Sequence, residues 1–150
     1  MERFPGDDYV DIFGLDDYYR AETLEKTQAD LPQKLAIVGQ LAAEHSKIAA
    51  FTETGFEAIP HEKWWTEMLL AQLETATAQA GIAYVLLWRN AYKTKPNHYF
   101  VPFPGQISAK DFVQFSRSER IVFQDKLPNL YKKPRKGRVK TAEATVSDTK

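Results

Sequence analysis

The chain has 150 residues, of which 43% are hydrophobic, 27% charged and 13% aromatic, values typical of one globular domain with a buried core. Its 20 Lys and Arg residues balance its 20 Asp and Glu residues, so no overall field favours nucleic acid, and a neutral substrate is expected. The chain contains no cysteine, which excludes disulfides and thiolate chemistry and leaves the compartment open.

Neither end of the sequence has the pattern of a membrane or export segment. Residues 1–8 contain no apolar stretch, and no run of about 18 apolar residues that could span a bilayer occurs anywhere. The tail Lys132–Lys150 is rich in Lys and Arg and then in Thr, Ala and Ser, without apolar periodicity. We therefore expect no membrane partner, no export signal in this chain, one domain over residues 1–131 and a disordered or linker tail over residues 132–150.

Three segments have the composition of buried strands. Tyr9–Leu15 is rich in β-branched and aromatic residues and ends at the polar stretch that begins with Asp16. Lys47–Phe51 ends at Thr52–Gly55. Ile82–Leu87 is apolar throughout, which is the pattern of a strand buried on both faces in a parallel sheet.

Helical spacing of apolar residues fills the segments between these strands. The first pattern predicts a helix of about four turns from Leu31, with Asp30 as its cap and Pro32 in its first turn. The second predicts a helix over residues 61–80, which Gly81 ends.

A third helix is predicted after the Pro-rich, aromatic loop over residues 93–105. Ser108 is placed as its N-cap, and Asp111 lies at the third helical position, where an acidic side chain completes a capping pattern. Its apolar face is formed by Phe112, Phe115, Val122 and Phe123.

The resulting order β-α-β-α-β-α predicts parallel strands joined by crossover helices. Both a doubly wound sheet and a (β/α) barrel have this order. In both folds, ligands bind at the carboxyl ends of the strands. The strand ends are therefore where functional side chains are expected, and they carry Asp16, Asp17, Tyr18, Glu53, Trp88 and Arg89.

This set of carboxylates, a phenol, an indole and a guanidinium is typical of a sugar-binding site. Glycoside hydrolysis needs two carboxyl groups, and Glu53 is a candidate for one of them. On residue chemistry alone, Glu53 could equally cap a turn or pair with Arg89. Asp16 could simply solvate a turn, and Tyr18 could be packed against the wall of the site.

Other candidate features favour structural roles. Trp64 and Trp65 open a helix and are expected in the core rather than on a ligand platform. The three histidines have no metal-ligand spacing, and the basic run over residues 132–136 is expected to be a solvated patch. No Gly-rich phosphate loop follows the first strand, which disfavours a nucleotide-binding domain.

Four segments in order resemble glycoside hydrolase family 26. They are Tyr9–Tyr18, Thr52–Gly55, Trp64–Thr66 and Trp88–Ala91, and the resemblance extends over about residues 4–131. The family consists mainly of retaining endo-β-1,4-mannanases on a (β/α)₈ barrel. The resemblance therefore implies the C-terminal part of such a barrel, with about three βα units and parallel strands.

The resemblance implies a role for each strand-end residue. Glu53 matches the nucleophile that forms a covalent mannosyl-enzyme intermediate, and Tyr18 matches the tyrosine that hydrogen-bonds to it. Asp16 matches a substrate-binding aspartate, Trp88 the indole that stacks under the sugar, and Arg89 a substrate-binding residue of some members. Neither a cofactor nor a metal is implied.

The sequence departs from the family pattern at the acid/base glutamate, which follows a histidine at the end of the fourth barrel strand. The only His-Glu pair, His61-Glu62, precedes a helix after the second strand seen here and does not match. A complete barrel has about 250 residues. We therefore expect the N-terminal barrel half to be missing from this chain, and the chain to be inactive alone.

Two functions remain open at this stage. The first is part of a mannan endo-1,4-β-mannosidase acting on β-mannan, galactomannan or glucomannan oligosaccharides. The second is a non-catalytic carbohydrate-binding fragment. The resemblance also implies that the full-length enzyme is secreted, periplasmic or on the cell surface.

Overall fold

A three-stranded parallel sheet organises the chain. The computed structural model describes residues 3–91, 93–129 and 132, with only the backbone described over residues 76–79. The strands lie in the order β1-β2-β3, and each pairs with its neighbour in parallel. They span β1 (Ile12–Asp16), β2 (Ile48–Thr54) and β3 (Val85–Leu87).

Helices connect the strands, as the sequence pattern predicts. They are α1 (Leu24–Glu44), a π-helical segment (Trp64–Leu70) that continues into α2 (Ala71–Ala80), and α3 (Ala109–Phe115). Short 3₁₀ turns occur at Asp7–Tyr9, Ala21–Thr23 and Gln124–Lys126. The fold is therefore the predicted succession of βα units.

The first helix is longer than predicted. It begins at Leu24, about two turns before Leu31, and Pro32 lies inside it rather than in its first turn. An interior proline removes one helical hydrogen bond. The buried side chains of Leu31 and Leu35 lie on either side of Pro32 along the helix, and their packing keeps the helix continuous at this point.

The second helix, in contrast, begins later than predicted, at Trp64 instead of residue 61. It ends at Ala80, and Gly81 follows with a φ of +61°, which confirms the predicted stop. Trp64 and Trp65 are both fully buried, as expected for core residues. Their rings meet edge to face, with centroids 4.5 Å apart.

Ser108 is the N-cap residue of α3, as predicted, but the side-chain capping bonds expected there are absent. Ser108 makes no side-chain capping bond to α3; its hydroxyl instead accepts the indole N–H of Trp65 at 3.0 Å. The buried carboxylate of Asp111 accepts the backbone N–H groups of Trp65 and Thr66 at 2.9 and 3.1 Å. Asp111 therefore satisfies the N-terminus of the π-helical segment, because the long-range donors outcompete its own helix.

Two further residues of the predicted third helix lie outside it. Val122 and Phe123 follow α3, and Val122 is exposed. Phe123 still joins the apolar cluster, since its ring meets those of Phe112 and Phe115 with centroids 5.8 and 6.4 Å away. The apolar character of Phe123 therefore correctly indicated its place in the apolar cluster, although its assignment to the third helix was wrong.

One face of the sheet packs against the helices and the other is open. On the packed face, Ala49 and Phe51 of β2 are buried in the core. The opposite face exposes large apolar side chains, namely Ile12 (40% exposed), Ile48 (50%), Tyr84 (42%) and Leu86 (44%). The expectation that the third strand is buried on both faces is therefore wrong for this chain, because nothing described covers its second face.

The boundaries of the other predicted strands also move. Tyr9 lies in a 3₁₀ turn before β1, whereas Asp16 is the last residue of that strand. The second strand extends to Thr54 and includes Glu53. The predicted tail lies outside the described residues except at Lys132.

Replacing Asp111 by Ala should destabilise the chain by about 2–4 kcal/mol, because buried N–H groups of Trp65 and Thr66 lose their acceptor. Urea unfolding followed by tryptophan fluorescence measures the change. Asp111→Asn, which keeps one oxygen acceptor, should lose less. The exposed Asp125→Ala serves as the control, and an equal effect of the two alanine variants would contradict the capping role.

Candidate active site

An extra residue in β2 shapes the candidate site. Leu15 of β1 lies opposite Phe51 of β2, but the next residue, Asp16, lies opposite Glu53, so Thr52 is left without a partner position. The Thr52 hydroxyl donates to the Leu15 carbonyl at 3.0 Å and contacts Asp16 Oδ1 at 2.7 Å. This bulge shifts the alternation of β2 by one residue and brings Glu53 into register with Asp16.

Tyr18 is hydrogen-bonded to Glu53. Its hydroxyl donates to Glu53 Oε2 at 2.9 Å. Parallel pairing continues beyond β1, with the Asp17 N–H donating to the Glu53 carbonyl at 3.0 Å, and this brings Tyr18 beside the carboxylate. Burial, the hydrogen bond to Glu53 and the nearby negative charges raise the pKa of Tyr18 to about 12. The phenol therefore remains a donor at neutral pH.

The turn that carries Tyr18 is anchored on both sides. The Asp17 carboxylate forms an ion pair with Lys34 of α1, with 2.6 Å between Oδ2 and Nζ. The Tyr19 N–H donates to the Gly55 carbonyl at 2.9 Å, and the Tyr19 side chain is buried. Asp17 is thus engaged in holding the turn, whereas Asp16 and Tyr18 reach the end of β2.

Trp88 and Arg89 lie at the end of the neighbouring strand. The Trp88 N–H donates to the Thr54 carbonyl at 3.0 Å, which brings Trp88 next to the end of β2. The guanidinium carbon of Arg89 lies 6.0 Å from the centroid of the Trp88 ring. Among the described residues, no ion pair joins Arg89 to Glu53, so the structure gives no support to that alternative role for Glu53.

The segment after β2 has an uncommon backbone conformation. Ala58 and the fully buried Ile59 adopt φ values of +60° and +43°, which cost roughly 1–2 kcal/mol each for residues with a Cβ. The Gln106 amide donates to both of their carbonyls, at 3.3 and 3.0 Å. Ser108 in turn donates to Gln106 through its backbone and its hydroxyl, so this turn is held from α3.

Tyr18 lines one of two cavities in the described part of the chain, and neither Tyr18 nor Glu53 lines the second. One, of about 290 Å³, is lined by Asp16, Tyr18 and charged side chains of α1. The other, of about 520 Å³, lies between the loops that follow β2 and β3 and is lined by Glu57 and His98. Within the described residues, no group of three or more His, Asp or Glu side chains could hold a metal.

The fold has close counterparts among solved structures. A β-mannanase of glycoside hydrolase family 26 from Bacteroides ovatus is 42% identical, with a TM-score of 0.79 over 91% of this chain and 38% of that chain. The catalytic domain of a family 26 endo-β-1,4-mannanase from a Bacillus species is 32% identical, with a TM-score of 0.69 over 82% of this chain and 35% of that one.

The chain belongs to glycoside hydrolase family 26. A modular endo-β-1,4-mannanase of the family from Cellulomonas fimi is 27% identical, with a TM-score of 0.71 over 87% of this chain and 29% of that chain. No family model matches the sequence. The chain thus spans about a third of the length of these structures and is part of a (β/α)₈ barrel, which confirms the predicted fold class.

The predicted site residues fall into two groups. Asp16, Tyr18 and Glu53 lie together at the ends of β1 and β2, and Trp88 and Arg89 lie together at the end of β3. Sequence reasoning missed the bulge at Thr52 and the support from Gln106. A Thr-Glu-Thr sequence gives no sign of a bulge, and nothing local connects Gln106 to a turn so distant in sequence.

Raising the pH should remove stability through Tyr18. Because its pKa is about 12 in the folded chain and about 10 in an unfolded one, only the folded state keeps the proton between these values. Its contribution is fully present below about pH 10 and falls as the pH rises towards about 12. Urea unfolding across this range should show a shallower fall for Tyr18→Phe.

Tyr19 also has a raised pKa, caused first by burial, but it is present in both proteins and its effect cancels in their difference. Equal pH slopes for the original chain and Tyr18→Phe would contradict the assignment to Tyr18.

None of the described helices is long and apolar enough to span a bilayer.

Proposed function

We propose that this chain supplies the nucleophile side of the active site of a retaining endo-β-1,4-mannanase. The observation that carries the proposal is the 2.9 Å hydrogen bond from Tyr18 to Glu53, at the end of the central strand of a family 26 chain. The neighbouring structures are β-mannanases, which supports mannan as the substrate class.

In the proposed reaction, an oxygen of Glu53 attacks the anomeric carbon of a mannosyl unit as the glycosidic bond breaks. The leaving oxygen takes a proton from a second carboxyl group, which in retaining enzymes lies about 5–5.5 Å from the nucleophile. Water then attacks the same carbon, gives a proton back to the second carboxyl group and releases Glu53. Net retention follows from these two displacements.

The other strand-end residues receive binding roles in this proposal. Tyr18 orients the Glu53 carboxylate and, because its pKa is about 12, donates its O–H to it at neutral pH. Trp88 offers its half-buried indole to the apolar face of the sugar, and Arg89, stacked beside it, reaches hydroxyl groups further along the chain of sugars. Asp16 accepts hydroxyl donors next to Glu53.

The acid/base residue is proposed to come from barrel strands outside this chain. A complete barrel has eight strands, and the described residues form three. The open apolar face carrying Ile48 and Leu86 has the side chains expected of a barrel interior. Mannan is a polymer that does not cross membranes, so we propose that the complete enzyme acts outside the cytoplasm, on plain mannan, galactomannan or glucomannan.

One observation favours a second function, a non-catalytic carbohydrate-binding fragment. The described residues form three strands with an open sheet face and carry an indole, a phenol and carboxylates at the strand ends, while the sequence has no match to the family's acid/base motif. Such a fragment would bind mannan oligosaccharides without cleaving them. Hydrolysis by the chain alone would eliminate this function.

Replacing Glu53 by Ala should abolish mannan hydrolysis. The assay uses the chain combined with the part of the Bacteroides ovatus β-mannanase barrel that it does not cover. We expect a loss of roughly a thousandfold or more in kcat, because the attacking group is gone. Released reducing ends measure the rate, and Glu67→Ala, on the exposed side of the π-helical segment, should retain it.

Azide gives an independent check on this role. With an activated aryl β-mannoside, azide can displace the leaving group directly in Glu53→Ala, giving a mannosyl azide of inverted configuration. Appearance of this product supports the nucleophile assignment. Turnover of the activated mannoside by Glu53→Ala at the original rate without azide would eliminate it.

Placing a charge on the open sheet face should prevent assembly with the rest of the barrel. Leu86→Asp puts a carboxylate where an apolar interior is expected, whereas Leu127→Asp changes a side chain of similar exposure elsewhere, 47% against 44%. We expect the first variant to lose co-purification with the complementary barrel part and the second to keep it. Equal assembly of both would contradict the proposed use of this face.

A further inference from the structure

The side chain of Phe100 lies directly behind the Tyr18 ring. Phe100 is 5% exposed, and the two rings meet edge to face at 69°, with centroids 5.8 Å apart. A Cβ added to Gly55, whose φ is +156°, would lie 2.4 Å from Phe100 Cδ1. The Phe100 ring therefore fits between the turn after β2 and the phenol that contacts Glu53.

Asn90 holds the backbone at Phe100. Its Oδ1 accepts the Phe100 and Val101 N–H groups at 2.8 and 2.9 Å, and its Nδ2 donates to the Val101 carbonyl at 2.8 Å. These three bonds join Asn90, which lies two residues after Trp88, to the backbone at Phe100 and Val101. They make the position of Phe100 depend on the end of β3.

His98 also contacts the Phe100 ring. Its imidazole meets Phe100 edge to face at 89°, with centroids 5.2 Å apart, and its Nδ1 lies 2.6 Å from Glu57 Oε1. Phe100 therefore has a second aromatic neighbour besides Tyr18. The aromatic contacts run from His98 through Phe100 to Tyr18 and end at the carboxylate of Glu53.

We propose that Phe100 is a positioning residue that keeps the Tyr18 hydroxyl on Oε2 of Glu53, with Asn90 holding Phe100 in place. Phe100 does not touch the carboxylate and acts through the phenol. Its importance for catalysis rests on the proposed role of Glu53 as nucleophile. The positioning of Tyr18 by Phe100 does not depend on that role, because it is inferred from the contact between their side chains.

The raised pKa of Tyr18 gives a readout that does not require activity. Burial is its largest cause, followed by the hydrogen bond to Glu53. In this proposal, Phe100 contributes to the burial of Tyr18 and maintains its hydrogen bond to Glu53. Loss of its ring should therefore lower the pKa from about 12 towards the ordinary tyrosine value of about 10.

The test replaces Phe100 by Leu, which keeps an apolar side chain and removes the ring. The chain carries tyrosine labelled with ¹³C at the hydroxyl-bearing carbon, and Tyr18→Phe assigns the Tyr18 resonance in an NMR titration. The matched control is Phe103→Leu, because Phe103 also meets a tyrosine edge to face, Tyr99, at 5.2 Å. We expect the Tyr18 pKa to fall by about one unit or more only in Phe100→Leu.

Asn90→Ala provides a second variant if Phe100→Leu does not fold, since the Asn90 side chain is exposed and its loss leaves the core intact. It should lower the Tyr18 pKa in the same direction. In the barrel completed as described above, both variants should lower kcat by roughly tenfold with little change in KM, as for loss of a contact to the reacting group.

An unchanged Tyr18 pKa in both variants, or an equal fall in Phe103→Leu, would overturn the positioning role. A lowered pKa with unchanged kcat would overturn its importance for catalysis. Failure of the proposed function is a separate result, since it would appear as hydrolysis retained by Glu53→Ala, whatever the titration of Tyr18 shows.

Discussion

The one-residue bulge at Thr52 is the constraint on which the rest of the site depends. Without it, the alternation of β2 would place Glu53 on the opposite face from Asp16. At the bulge, the Thr52 hydroxyl donates a hydrogen bond to the Leu15 carbonyl of the neighbouring strand. The register shift allows two carboxylates from neighbouring strands to face the same space.

The order of strands and helices was predictable from the sequence because apolar runs or helical spacing mark each element, and polar residues or glycine mark its end. The buried pair Trp64-Trp65 and the stop at Gly81 illustrate this. The first residues of the helices were not predictable, because tertiary packing outweighed the capping and proline patterns in the local sequence. Pro32 is carried inside α1, and Asp111 caps another helix rather than its own, because partners distant in sequence offered more hydrogen bonds.

The site was predictable in a similar, limited way. Strand ends indicated where Glu53, Asp16 and Trp88 would lie, and the family resemblance indicated that Tyr18 would bond to Glu53. The aromatic contacts behind Tyr18 were not predictable, because Phe100 lies in a loop without periodicity and reaches the site only through tertiary contacts. What the loop after β3 contributes is therefore visible only in three dimensions.

The hydrogen bond to Glu53 makes its two oxygens chemically different. Tyr18 occupies Oε2, and within the described part of the chain no hydrogen bond reaches Oε1. The phenol therefore distinguishes the two oxygens by geometry, because Oε2 is bound and Oε1 is left for another partner. A carboxylate whose two oxygens are equivalent in water thus has one bound and one open oxygen in the folded chain, a difference that its overall charge does not reveal.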